Sequence, residues 1–117
     1  MKLSIVIPVY YNEPSLWPLY KDIKEKILSR QDIECEIVMV NDGSKDKSYQ
    51  IMQEISREDN RVRIFSLSRN FGSHAAILCG LDQCTGDCAV IKAADLQEPT
   101  ELIIDMLESW KKGFNVV

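Results

Sequence analysis

The sequence is short of the residues that usually announce a metal centre or a cofactor. It has a single histidine, His74, and its four cysteines, Cys35, Cys79, Cys84 and Cys88, contain no Cys-x-x-Cys pair. The common zinc arrangements are therefore excluded, and reduced, mostly buried thiols are expected. Its five glycines are placed so that no Gly-x-Gly-x-x-Gly turn follows the first apolar run and no Gly-x-x-x-x-Gly-Lys-Ser/Thr loop occurs. A dinucleotide-binding turn and a P-loop are excluded with them. A phosphoacceptor receiver needs clustered acids after its first strand and a carboxylate ending its third, and Glu13 alone does not supply that. Basic residues are interspersed with acids at a net charge of −4, so there is no stripe for a nucleic acid and any phosphate site must be local. Long hydrophobic runs are missing as well. Leu3 to Val9 is too short for a signal segment or a membrane span, so a cytoplasmic location is expected. No repeat, low-complexity tract or linker divides the 117 residues, and 45% hydrophobic content over that length supports one core, not two.

What is present is a series of apolar runs that stop abruptly at polar residues. Lys2 to Tyr10 is β-branched and nearly continuously apolar, the pattern of a strand buried on both faces. Pro8 removes a ladder donor and Tyr10-Tyr11-Asn12-Glu13-Pro14 cannot prolong the strand, so Tyr10, Asn12 and Glu13 come to its carboxyl edge. Ser15 reads as the N-cap of a helix with Leu16, Leu19, Tyr20, Ile23 and Ile27 at helical spacing. Glu34 to Val40 reads as a second strand, ending in the turn formers Asn41-Asp42-Gly43-Ser44. Asp46 reads as the N-cap of a helix carrying Ile51, Met52 and Ile55, and Arg61 to Leu67 as a third strand that runs into Ser68-Arg69-Asn70-Phe71-Gly72. His74 to Cys84 is apolar nearly all round, which predicts a largely buried helix with Gly86 at its stop. Asp87 to Ile91 is a fourth strand leading to Asp95. Pro99 opens a helix with Leu102, Ile103, Met106, Leu107 and Trp110 as its apolar face, Gly113 ends it, and Phe114 to Val117 begins a fifth strand. Such a succession of strand–helix units dictates an α/β fold: a mostly parallel, Rossmann-like open sheet with right-handed crossovers and helices on both faces.

In such a sheet the ligand sits outside the carboxyl ends of the strands. The residues brought there are Tyr10, Asn12, Glu13, Asp42, Arg69, Asn70 and Asp95. Aromatic rings stack on a base, and carboxylates accept hydrogen bonds from a base edge or a ribose, so these parts suit a nucleotide. A diphosphate would need its charge offset by a divalent cation on Asp95 or by Arg69. Each residue also has a plainer reading. Asp95 can cap the Pro99 helix, Asp42 can make an Asx-turn before Gly43, Glu13 can answer a helix dipole and Arg69-Asn70 can be a solvated loop. For His74 a structural role is expected, and for Lys92 a snorkelling strand-end position.

Three stretches, in this order and spacing, resemble a known family over nearly the whole chain. They are Ser-Ile-Val-Ile-Pro-Val-Tyr-Tyr-Asn-Glu from Ser4 to Glu13, Glu-Ile-Val-Met-Val-Asn-Asp-Gly-Ser from Glu36 to Ser44, and Arg69-Asn-Phe-Gly through Gly86-Asp87 to Ala94-Asp-Leu-Gln-Glu-Pro99. The chain resembles the N-terminal half of an inverting family 2 glycosyltransferase with the GT-A nucleotide-diphospho-sugar fold. That resemblance implies a donor-binding set of Pro8, Tyr10, Glu13, Asp42, Ala94 and Asp95. In it the first four hold the nucleoside, and Asp95 is the second Asp of the Asp-x-Asp metal motif, carrying Mg or Mn. The implied donor is a UDP-sugar. The Asp-Leu-Gln-Glu-Pro continuation is most similar to the branch that moves a sugar onto polyprenyl phosphate, with a cell-envelope glycan as the alternative acceptor.

Two departures stand out. Ala93 replaces the first Asp of the metal motif, and the Tyr10-Tyr11 doubling lengthens the loop after the first strand by one residue. The resemblance places the general base and the acceptor-side part, including any membrane-associated acceptor contact, beyond residue 117. No catalytic residue is therefore assigned, and the chain on its own is expected to bind donor without transferring sugar. Self-association is expected through Phe114 to Val117 and uncovered sheet surface. The rival reading, prompted by Ala93 and the missing base, is a non-catalytic nucleotide-sugar-binding or interaction module. A nucleotidyltransferase would carry a Gly-rich loop after its first strand, which is not seen.

Overall fold

The computed structural model describes residues 2–31, 33–94 and 100–111. The Asp95 to Pro99 stretch and the expected fifth strand at Phe114 to Val117 lie outside the described residues. Among the described residues, four parallel strands form one sheet: β1 (Lys2–Val9), β2 (Glu34–Asn41), β3 (Val62–Ser66) and β4 (Cys88–Ile91), in the order β3-β2-β1-β4. The apolar pattern explains the order. Leu3, Ile5, Ile7 and Val9 on one face and Val6 on the other are wholly buried in β1, as are Ile37 and Met39 against Val38 and Val40 in β2. Strands apolar at both parities belong in the middle, while the shorter and partly exposed β3 and β4 flank them.

Helices α1 (Leu16–Ile23), α2 (Ser48–Glu58) and α4 (Glu101–Lys111) contribute Leu16, Leu19, Ile23, Met52, Ile55 and Ile103 to the core on the first face. Each such side chain contributes roughly 1.5–3 kcal/mol of burial. Beyond Ile23 the chain does not continue as the regular helix that the spacing of Ile27 predicts. It widens into a π-helical stretch, Lys24–Leu28, which still buries Ile27 and Leu28. Lys26 in this stretch bridges Asp22 at 2.9 Å and Glu101 at 2.6 Å, and Thr100 donates to Asp22, so α1 and α4 are tied beside their apolar contact.

The opposite face is covered by α3 (Ser73–Gln83). This helix is not the largely buried one that its composition predicts. Only Ala76 and Gly80 are buried in it, while Leu78 stands 66% exposed and Leu81 is exposed as well. The reason is close approach. A Cβ at Gly80 would lie 2.4 Å from Val6 Cγ1, so the two small residues face the sheet and the large ones are turned outward.

Two caps also differ from expectation. Ser15 precedes α1 as expected but makes no side-chain cap bond, and the residue at the α2 cap position is Lys47 rather than Asp46. Asp46 still serves the helix start, because its Oδ1 accepts the Ser48 N–H at 3.0 Å.

At the amino ends of the strands, polar side chains close on one another. Glu36, 4% exposed, accepts from Ser4 Oγ at 2.6 Å, Thr85 N–H at 2.6 Å and Arg63 Nη1 at 3.1 Å. Burial pushes this carboxyl up, but the hydrogen bonds from Ser4, Thr85 and Arg63 outweigh it and hold it at about 2. Nearby, Arg61 grips Asp59 through Nε at 2.9 Å and Nη2 at 2.8 Å, and Tyr20 donates to Asp59 at 2.8 Å. Arg61 first, with Tyr20 assisting, brings Asp59 to about 2 against its burial.

Candidate functional site

At the carboxyl edge, the loop after β1 is fastened to the loop after β2 almost entirely through main-chain N–H groups. Tyr10 N–H donates to Asn12 Oδ1 at 2.8 Å, Tyr11 N–H to Ser44 Oγ at 2.9 Å and Asn12 N–H to Ser48 Oγ at 3.0 Å. Glu13 completes the tie by accepting the Lys47 N–H at 2.9 Å. Its carboxylate thus serves the first turn of α2, where unpaired N–H groups and the positive end of the helix dipole favour an anion. The dipole reading of Glu13 holds, with the helix being α2 and not the adjacent α1.

Asp42 is the hub of the second loop and is only 2% exposed. Its own N–H continues the ladder to Val9 O at 2.8 Å. Its carboxylate accepts Phe71 N–H at 2.8 Å on Oδ1, and Asn70 Nδ2 at 2.9 Å and Gly72 N–H at 3.0 Å on Oδ2. The β3–α3 loop is folded around that charge. Gly43 makes room for it: at φ 73° it adopts a left-handed conformation, and a Cβ there would lie 2.4 Å from Arg69 C and Asn70 N.

Among the described residues, two clefts open on this edge. The smaller, about 210 Å³, is lined by Pro8, Tyr10, Asn12, Asp42, Ser73 and Ala94 among others. Four of the six residues expected to bind donor, Pro8, Tyr10, Asp42 and Ala94, therefore meet on one cavity. Glu13 does not line it, and Asp95, the next residue after Ala94 in the chain, lies outside the described residues. The larger cleft, about 600 Å³, includes Tyr10, Tyr11, Lys45, Tyr49 and Arg69 in its lining. Tyr10 belongs to both.

The remaining candidates take structural positions. Asn70 is committed to Asp42, and the Arg69 guanidinium lies 4.8 Å from the centre of the Phe71 ring, a cation–π contact at the cleft margin. His74 is exposed on α3 and lines neither cleft. Lys92 does not snorkel as expected: it is 1% exposed, with Nζ 3.4 Å from Ala93 O. Its position follows from the strand alternation, which puts it on the same side as Val90 and Ala94 of the first-face core.

The described residues do not by themselves fit a metal ion. No group of three or more His, Cys, Asp or Glu among them is placed to hold one. At the edge in question Ala93 offers no ligand, and both oxygens of Asp42 are engaged by N–H donors. The metal expectation rests on Asp95 alone. Sequence reasoning missed Ser48, Lys45, Tyr49 and Ser73. Each is an ordinary polar or aromatic residue whose place at this edge depends on contacts between distant loops.

Comparison with known proteins bears on the family and the fold. A glycosyltransferase of Bacillus subtilis named YkcC is 44% identical over 117 residues, covering 100% of this chain and 36% of the relative. The prophage bactoprenol glucosyl transferase homolog of Escherichia coli is 38% identical over 100% of this chain and 38% of its own length. The undecaprenyl-phosphate 4-deoxy-4-formamido-L-arabinose transferase of Pseudomonas fluorescens is 44% identical over 98% of this chain and 34% of its own length. The chain thus spans about a third of the length of the curated relatives it matches. Among solved structures, Staphylococcus aureus TarS 1–349 superposes with a TM-score of 0.77 at 23% identity, over 96% of this chain and 33% of that one. The Pyrobaculum calidifontis mannosyltransferase PcManGT, solved with GDP-Man and Mn2+, gives 0.76 at 20% identity, over 92% of this chain and 31% of that one. Both likenesses establish the shared fold. The glycosyl transferase family 2 model matches residues 4–117, nearly the whole sequence, and the chain belongs to that family.

Proposed function

We propose that this chain is the donor-binding part of an inverting glycosyltransferase that takes a sugar from a nucleotide-diphosphate sugar, a UDP-sugar, for transfer to polyprenyl phosphate. The observation that carries the reading is the meeting of Pro8, Tyr10, Asp42 and Ala94 on one cleft at the carboxyl edge, with Asp95 next in sequence. The names of the relatives, bactoprenol and undecaprenyl-phosphate transferases, support the acceptor class, and the TarS structures with UDP and UDP-GlcNAc support the donor class.

In this reading an acceptor phosphate oxygen attacks the anomeric carbon as the bond to the diphosphate breaks, and the bonding electrons leave with the diphosphate. A phosphate acceptor is already an oxyanion and asks little of a general base. The chain's own task is to hold the nucleoside: Pro8 and Tyr10 offer apolar and aromatic surface, and Asp42 fixes the loop that bounds the cleft. Asp95 is the carboxylate proposed to meet Mg or Mn.

Calorimetric titration of the chain with UDP, with and without Mn2+, tests the reading. Weak binding is expected, tightened by Mn2+ in the parent and untightened in Asp95→Asn, with no sugar transfer by the chain on its own. Absence of heat at millimolar UDP would sink the donor assignment, and an unchanged metal response in Asp95→Asn would sink the metal assignment. Sugar transfer by the purified chain would show that the catalytic machinery had been misplaced.

A further inference from the structure

Tyr11 is the one non-glycine residue with positive φ among the described residues, at 53°. A large side chain is disfavoured there, because Cβ crowds the following carbonyl, and it persists only where the surroundings over-determine it. Here they do. Its N–H is held by Ser44 Oγ, and the N–H groups on either side are held by Asn12 and Ser48. Yet the ring is 46% exposed, so burial in the core does not account for a tyrosine where glycine would fit without strain.

The conformation brings the Tyr11 ring against that of Tyr10, with centroids 4.6 Å apart and planes at 86°. Tyr10 is 48% exposed, so the pair forms a right-angled aromatic corner open to solvent on the wall of the larger cleft. Lys45 and Arg69 line the same cleft, and its described lining contains no carboxylate. In a chain of net charge −4 that combination selects a ligand with a flat ring and negative charge.

Resting on the donor-binding reading above, we propose that Tyr11 is a further donor-binding residue whose ring stacks on the nucleobase. Tyr10 lines both clefts and its ring meets that of Tyr11, so the proposed course of the donor runs from the smaller cleft along Tyr10 to Tyr11. Tyr11 thereby gives the base a second aromatic surface beside Tyr10.

The test compares Tyr11→Gly and Tyr11→Phe with the parent chain, reading UDP affinity by calorimetry and thermal midpoint by circular dichroism. Tyr11→Gly removes the ring while accepting the left-handed backbone. It should bind UDP about 10-fold more weakly, the size of one lost base–aromatic stack, with an equal or higher thermal midpoint. Tyr11→Phe keeps the ring and should bind UDP as the parent does. UDP affinity unchanged in Tyr11→Gly overturns the assignment and leaves the donor reading standing. A lowered midpoint in Tyr11→Gly also overturns it, because the ring would then be holding the loop. A parent chain that binds no UDP overturns both.

Discussion

The two ends of the sheet both carry polar side chains and use them differently. At the amino end a cleft of about 470 Å³ is lined by Lys2, Arg30, Arg61 and Arg63 together with Glu34 and Glu36. Its cations are already matched: Arg63 and Lys2 approach Glu36, Arg61 holds Asp59 and Arg30 approaches Glu108. At the carboxyl end, acids are answered by main-chain N–H groups instead, Asp42 by Phe71 and Gly72, and Glu13 by Lys47. That leaves Lys45 and the tyrosine rings facing a cleft. Charge paired with charge builds the fold. Acids paired with backbone fix loops and free the other side chains for a ligand.

The contrast can be broken first at the amino end, where the largest effect is expected. Glu36→Ala leaves Arg63 and Ser4 without their buried partner and should cost about 3–5 kcal/mol in chemical denaturation, while the remaining folded molecules bind UDP as before. The same network has a signature in acid. Glu36 and Asp59 are held at about 2 when folded, below the ~4 of free carboxylates, so their contribution is complete above that range and is lost as pH falls from about 4.5 toward 2. In Glu36→Ala the slope of stability against pH in that window should flatten. A variant with parental stability, or an unchanged acid slope, would deny that this network holds the sheet together.

A middle-sized effect is expected at the other end. Asp42→Asn removes the charge that three N–H donors share and turns an amide NH2 toward one of them. It should cost roughly 1.5–3 kcal/mol. Amide exchange at Phe71 and Gly72 should quicken and UDP should bind more weakly. Preserved protection at those two amides would show that the loop does not depend on Asp42. The smallest effect belongs to Ser44→Ala, which deletes the acceptor for Tyr11 N–H at a cost of about 1 kcal/mol. Exchange should rise at Tyr11 and stay unchanged in β1 and β2; a rise throughout both strands would mean that this contact supports the sheet and not only the loop.

Much of the architecture was legible because it is written in short-range pattern. Apolar residues at both parities in Leu3 to Val9 and in Ile37 to Val40 call for central strands, and the turn formers after them call for a ligand edge. What each acid does there was not legible. Asp42 meets donors 28 to 30 positions away and Glu13 one 34 positions away, and no local spacing distinguishes a carboxylate aimed at a ligand from one aimed at a distant amide. For the same reason the burial of α3 is not legible in its composition. Composition counts the leucines, but the depth of a helix is set by its smallest contact residues, here Ala76 and Gly80. Lys92 departs from the expected snorkelling position because the strand alternation carries it inward past the end of β4.

One consequence follows from the way the loop after β1 is tied down. The main-chain donors of Tyr10, Tyr11 and Asn12 are all spoken for by side chains of the protein itself. The segment is therefore ordered before any ligand arrives, and the conformational entropy of ordering it belongs to folding and not to binding. It also has few amides left to offer a phosphate. On the proposed reading, recognition at this loop would fall to the rings, which take no part in those three bonds. A lineage could exchange one ring for another and change what is recognised, while the backbone that presents it stays where it is.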